Sequence, residues 1–293
     1  MKKLFLSLGL LFIPFVSAED CGLLNLATCI PQKIFEFFLN IFYAPITPLL
    51  VLIKSFLTEP INLSSFMPLW AIIIYVLSLF YGLLILYSGF NFMISGHDAV
   101  KRAKAKEWFQ NIILMIVLIQ ASYFLYTLVL DVNSLLTSGI INLIDPRFFI
   151  LTADNIINIG LEFFFAILYA ITLFITVIIL TLRYIVIAVG VVFVPIGIFL
   201  YFIPPLQSYG RLIINFLGIC IFTTFFDSLI FLVCAQISNL PIFGNFKILV
   251  MITAFSIANI LMFYLIFFSA IKSAFKTGEK GVAIVSSVAK FFA

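Results

Sequence analysis

The sequence predicts an all-α, polytopic membrane protein, and three observations predict it. Of its 293 residues, 65% are hydrophobic and 10% charged, against roughly 25% charged in soluble globular domains. Apolar runs recur at or above the ~20 residues that a helix needs to cross a hydrocarbon layer. The charged residues gather in the short stretches between those runs. With 37 Phe and 17% aromatic residues, the excess is bulky and apolar, suited to acyl chains and needing no polar partner. The expected architecture is about five spans, with six as the alternative, plus interfacial amphipathic helices.

The chain divides into four parts. Residues 1–18 read as a signal peptide: Lys2 and Lys3, the apolar run Leu4 to Val16, then Val16-Ser17-Ala18 give the basic, apolar and small-residue order of a secretory signal. Residues 19–66 form an outer and interfacial segment. Cys21 and Cys29 fall there on the oxidising side, where a disulfide is chemically permitted, and Asn62-Leu63-Ser64 fits a glycosylation acceptor. Gln32 to Leu57 carries Lys33, Glu36 and Lys54 and is interrupted by Pro45 and Pro48. It is therefore expected to lie at the interface or re-enter, because ionisable groups are costly in hydrocarbon.

Residues 67–271 form the transmembrane domain. Its expected spans are Met67 to Ile94, Phe109 to Leu130, Gly160 to Pro204, Leu212 to Gln236 and Ile248 to Ile271. Between the first two, Ser95 to Trp108 reads as a polar loop whose Lys101, Arg102, Lys104 and Lys106 place it in the cytoplasm, since basic residues close to spans are retained there. Asp131 to Ile159, with Asp131, Asp145 and Asp154, is expected as an outer loop. Gly160 to Pro204 would be roughly 68 Å long as one straight helix at 1.5 Å per residue, more than the ~30 Å hydrocarbon layer. Either it turns back near Arg183, giving six spans, or it crosses once, broken near Gly190, Pro195 and Gly197. The lysines of the tail, residues 272–293, put an amphipathic C-terminal segment in the cytoplasm. With the mature N-terminus outside, the number of crossings is then odd, which favours five.

The residue inventory restricts the chemistry. One His (His97) and four scattered Cys exclude a zinc site with several His or Cys at ligand spacing, and no GxxxxGK[ST] phosphate loop is present. No cofactor and no enzymatic activity are expected. Charges within spans are functional candidates by default: Arg183, Asp227 and Glu162. Arg183 and Asp227 either line a polar path or fix helix packing by pairing. The basic stretch either sets topology and attracts anionic lipid, or docks a cytoplasmic partner or a polyanion.

Two segments carry a family resemblance. Tyr87-Ser88-Gly89-Phe90 through Ser95-Gly96-His97-Asp98 to Ala103-Lys104-Ala105-Lys106-Glu107-Trp108 resembles the helical hairpin of pilin-type and other small membrane subunits of type IV secretion systems. Leu182-Arg183, Pro195, Phe202, Pro204-Pro205 and Arg211 are similar to the apolar run, proline turn and basic residue of the TrbL-like polytopic channel subunit. Arg211 is followed by Leu212-Ile213-Ile214 and not by the Trp of the bacterial branch, which points towards an archaeal DNA-import relative of the Ced type. The resemblance implies a homo-oligomeric core subunit of a secretion machine. Its partners would be membrane lipids, a secretion ATPase and pilin subunits, and DNA or protein would be its translocated substrate. A stand-alone transporter of small solutes or ions is the alternative.

Overall fold

The computed structural model describes residues 44, 46–145, 148–149 and 159–268. The signal segment, Cys21, Cys29, Asp154 and the tail 272–293 lie outside the described residues. The described helices belong to one compact unit that begins at Pro45. They are α1 (Ile46–Thr58), α2 (Met67–Ile94), α3 (Ala99–Gln120), α4 (Ser122–Ile141), α5 (Ile159–Phe202), α6 (Gln207–Ser238) and α7 (Lys247–Phe263), which ends in a π-turn at Tyr264–Phe268. No strand occurs among the described residues. Among the described residues, five helical stretches are long and apolar enough to cross a membrane: Ser64–Ile94, Ser122–Ile141, Phe164–Phe202, Pro204–Ser238 and Lys247–Phe267.

Local chemistry sets the helix ends. Asn62 Oδ1 accepts from the backbone N–H of Ser64 at 3.0 Å and from its hydroxyl at 2.6 Å, an Asx-type turn that starts the 3-10 turn Ser64–Phe66 ahead of α2. Asp98 caps α3, its Oδ1 accepting from the N–H of Val100 at 2.9 Å, which satisfies one of the orphan donors of a first turn. The basic stretch expected as a loop is consequently helical from Ala99. Lys101, Arg102, Lys104 and Lys106 stand on the first turns of α3, where Ala, Lys, Arg and Glu are good helix formers.

Two expected boundaries move. The span placed at Phe109 to Leu130 straddles a joint: α3 ends at Gln120 and α4 begins at Ser122. Ala121 keeps near-helical angles and its carbonyl accepts from the N–H of Leu125 at 2.9 Å, so α3 and α4 form one rod with a flaw. Asp131, expected at the start of an outer loop, is an exposed residue inside α4. A single exposed carboxylate costs a helix little.

The long apolar run is one helix. α5 has 44 residues, about 66 Å at 1.5 Å per residue, and passes through Arg183 and Pro195 without a turn. The hairpin at Arg183 is absent. Pro195, expected with the proline turn, instead lies within α5. Gly190 and Gly197, expected as weak points, are contact positions: a Cβ on Gly190 would meet the Tyr126 hydroxyl and come within 2.7 Å of Leu217 Cδ2, and one on Gly197 would lie 3.0 Å from Ile213 Cγ2. The chain turns only at Ile203, which is extended as the residue before a proline must be, and at Pro204–Leu206. Arg211 thus stands in the first turns of α6 and not in the turn itself.

α5 is longer than its neighbours, and they share it. Trp70 Nε1 donates to Ser122 Oγ at 2.9 Å, Tyr126 donates to the carbonyl of Ile187 at 2.7 Å, and the Phe80 and Phe199 rings are 5.9 Å apart. These contacts lay α2 along the C-terminal half of α5. Tyr169 and Phe255 are 5.8 Å apart and Asn259 Nδ2 donates to the carbonyl of Thr172 at 3.2 Å, which lays α7 along the N-terminal half. α1 joins the bundle near the middle, with Phe56 5.7 Å from Tyr184 and the Thr58 carbonyl accepting from Ser134 Oγ at 2.5 Å. The bundle therefore has two tiers, and Arg183 sits where they meet.

Candidate functional sites

At the junction of the tiers, Arg183 is only 4% exposed and Asp227 is fully buried. Both belong to apolar helices, α5 and α6, that pack antiparallel through the short proline turn. An isolated buried guanidinium would be prohibitive, so its donors must be used. Arg183 Nε donates to the carbonyl of Cys220 at 2.7 Å, and Nη2 donates to the carbonyl of Ile221 at 2.9 Å and to Thr224 Oγ1 at 3.1 Å. Asn133 Nδ2, from α4, donates to the same Thr224 oxygen at 2.9 Å. Thr224 is thus a hub between three helices.

Arg183 and Asp227 are brought to facing helices, but the guanidinium is spent on α6 backbone and Thr224. Among the described residues, neither Asp227 oxygen has a hydrogen-bond partner, and Asn133 Oδ1, Thr137 Oγ1 and Asn259 Oδ1 also lack one. Asn259 is at the level of Asp227, because Phe231 and Phe255, one turn further along the same two antiparallel helices, have rings 4.7 Å apart. Glu162 falls in the first turn of α5, and its side chain lies outside the described residues. No group of three or more His, Cys, Asp or Glu able to hold a metal ion occurs among the described residues. Cys220 and Cys234 are free and buried, as small apolar side chains would be.

Sequence reasoning singled out Arg183 and Asp227 and missed Asn133, Thr224 and Tyr126. The available signal was the polar cluster Thr223, Thr224, Asp227 and Ser228 within an apolar run. Asn133 was hidden by its assignment to an outer loop.

A second site lies at one end of the bundle. The α2–α3 hairpin and the proline turn enclose a cleft of about 680 Å³, with Tyr87, Trp108, Pro204 and Pro205 in its walls and Lys101 and Lys104 on its rim. Tyr87 and Trp108 meet edge to face at 6.5 Å. Arg102 and Lys106 line a separate groove of about 660 Å³, the Arg102 guanidinium resting 5.7 Å from the Phe92 ring centre. Arg211 adds a positive charge nearby, 5.6 Å above the Tyr201 ring. Gly210 allows that approach of α6 to α5, since a Cβ there would overlap the Tyr201 backbone and lie 2.6 Å from the Gly197 carbonyl oxygen. Asn62 is exposed, although its side-chain oxygen already serves as the turn acceptor.

Fold and sites define an all-α, multi-pass membrane protein with a buried arginine at its centre and a basic cleft at one end. Compared with known protein families, curated proteins and solved structures, the chain matches none of them.

Proposed function

We infer that this chain is a polytopic core subunit of a type IV secretion-like machine, forming part of a membrane conduit for DNA or protein. The observation that carries the reading is the meeting of two distant segments. The basic stretch Lys101 to Lys106 and the proline turn Pro204-Pro205 are the parts that resemble such subunits, and both border one cleft. The chain would be a passive element. It carries no phosphate loop, so an ATPase elsewhere would supply the energy, and the basic end would face the cytoplasm and dock partners there. Copies of the chain would assemble into the conduit, and the outer segment would join pilin-like partners.

The test is capture of the tagged chain in gentle detergent from its native membrane. Co-purification of an ATPase and a pilin, with several copies of the chain, supports the reading. A monomer that brings neither overturns it.

One observation favours the transporter reading. Asp227 is fully buried with both carboxylate oxygens unpartnered, and buried ionisable groups near a bilayer midplane commonly mark ion or proton pathways. Cation flux into liposomes that is abolished in Asp227→Asn would establish it, and flux equal to that of empty vesicles would remove it.

A further inference from the structure

The cleft between the α2–α3 hairpin and the proline turn combines apolar walls with two cationic side chains. Leu84, Ile94, Ile203, Pro204 and Pro205 supply apolar surface, while Lys101 and Lys104 stand beside Asn91 and Ser95. Its volume of about 680 Å³ is within the ~300–1,000 Å³ typical of small-molecule sites. Tyr87 and Ile94 of its lining are exposed, as are Phe90 and Met93 at the same end of α2, so an apolar helix surface that would face hydrocarbon adjoins the cleft.

The two lysines are available. Among the described residues, Lys104 has no acidic group within ion-pair range, and Lys101 makes only a 3.8 Å contact with Asp98, with its side chain 74% exposed. Exposed pairs of that kind contribute little. Asp98 in turn is committed to the α3 N-terminus. A small soluble anion would use the lysines and leave the apolar surface wet. A neutral lipid would bring no charge to the lysines, and a zwitterionic one would bring its phosphate together with its own ammonium group, so only an anionic lipid covers the apolar surface and adds net negative charge beside Lys101 and Lys104.

We propose that this cleft binds one anionic phospholipid drawn from the adjoining leaflet. Its phosphate lies between Lys101 and Lys104, and an acyl chain runs along Leu84, Ile203 and Pro204. The ligand thereby ties the α2–α3 hairpin to the α5–α6 turn, two parts of the chain that meet at this end. The proposal does not depend on the conduit reading, since it concerns only this cleft and its bilayer.

The neighbouring groove supplies a charge-matched control. Arg102 and Lys106 carry the same charge on the same helix but face away from the proline turn. The full chain, purified in neutral detergent, is titrated with dioleoyl phosphatidylglycerol or phosphatidylcholine and read by native mass spectrometry and by thermal unfolding. Wild type is expected to retain one phosphatidylglycerol. At roughly 1 kcal/mol per basic residue near an anionic surface, Lys101→Gln with Lys104→Gln weakens retention about thirtyfold, while Arg102→Gln with Lys106→Gln changes it by less than about threefold. The double arginine variant, Lys101→Arg with Lys104→Arg, keeps the lipid, which separates loss of charge from loss of fold. A dihexanoyl phosphatidylglycerol is expected to bind more weakly than the long-chain lipid.

Equal weakening in the two glutamine variants would overturn the proposal in favour of diffuse attraction to the basic helix. So would retention of phosphatidylcholine as strong as that of phosphatidylglycerol, or displacement of the lipid by millimolar inorganic phosphate, which would make the site one for a free anion.

Discussion

Arg183 Nε lies 2.7 Å from the carbonyl oxygen of Cys220, so the guanidinium buried at the centre of the bundle is hydrogen-bonded by the backbone of the next helix and, among the described residues, by no carboxylate. Carbonyls inside a helix already accept from their own N–H donors and have a second lone pair free. The arginine uses that spare capacity at Cys220 and Ile221. It thereby joins α5 to α6 in the middle of apolar surface.

Removing that tie should be costly. Arg183→Met keeps much of the side-chain volume but loses three hydrogen bonds from a charged donor and leaves Thr224 with one partner fewer. Charge-assisted bonds contribute about 1.5–3 kcal/mol each in soluble proteins, and bonds within bilayers average nearer ~0.6, so a loss of about 2–4 kcal/mol is expected. Thermal unfolding in detergent, followed by circular dichroism, measures it.

Asp227 should behave in the opposite way. Its oxygens accept no hydrogen bond among the described residues, so Asp227→Asn removes none from the fold and gives up only its charge attraction to Arg183; a change in stability of about 1 kcal/mol or less is expected, against the ~1–3 kcal/mol that follows loss of a satisfied buried group. The same melting experiment checks it. A stable Asp227→Asn protein is also the condition for interpreting flux measurements on this residue.

Gly190 should resist enlargement because of two neighbours, Tyr126 and Leu217, the first of them the nearer. A Cβ there overlaps the Tyr126 hydroxyl, and overpacking of that kind costs about 1–3 kcal/mol. Tyr126→Phe removes the overlapping oxygen and with it the bond to the Ile187 carbonyl. Gly190→Ala combined with Tyr126→Phe is therefore expected to lose less than the sum of the single changes, a coupling that a double-mutant cycle reads directly. Gly210→Ala meets backbone and not a side-chain tip, so no such rescue is expected there.

Lys104 and Pro205 border one cleft, so cysteines placed at the two positions should be labelled from the same side of the membrane. In intact cells, a membrane-impermeant reagent is expected to leave both unlabelled until the cells are opened, as the cytoplasmic assignment requires. Cys220 and Cys234 are buried and should stay silent. Labelling of one position and not the other in intact cells contradicts the shared cleft.

The sequence by itself determined the solvent and the element type. Sixty-five per cent hydrophobic residues require lipid, and unbroken apolar runs in lipid require helices, because only helices or closed barrels satisfy their own backbone. It also picked out Arg183 and Asp227, since charges in such runs are conspicuous. Other features could not be read from it. Pro195 looked like a breaker, yet α5 continues through it because packing on both sides holds the helix. Lys101 to Lys106 looked like a loop, yet Asp98 capping makes them helical. Only the tertiary structure decided that α2 and α7 sit at different heights on α5, that Arg183 spends its donors on Cys220, Ile221 and Thr224, and that Lys104 and Pro205 border one cleft. The physical reason is that lipid-facing and helix-facing positions are equally apolar. Composition therefore does not say which face of a span meets which neighbour; that is set by close contacts such as Gly190 on Tyr126 and by a few buried hydrogen bonds.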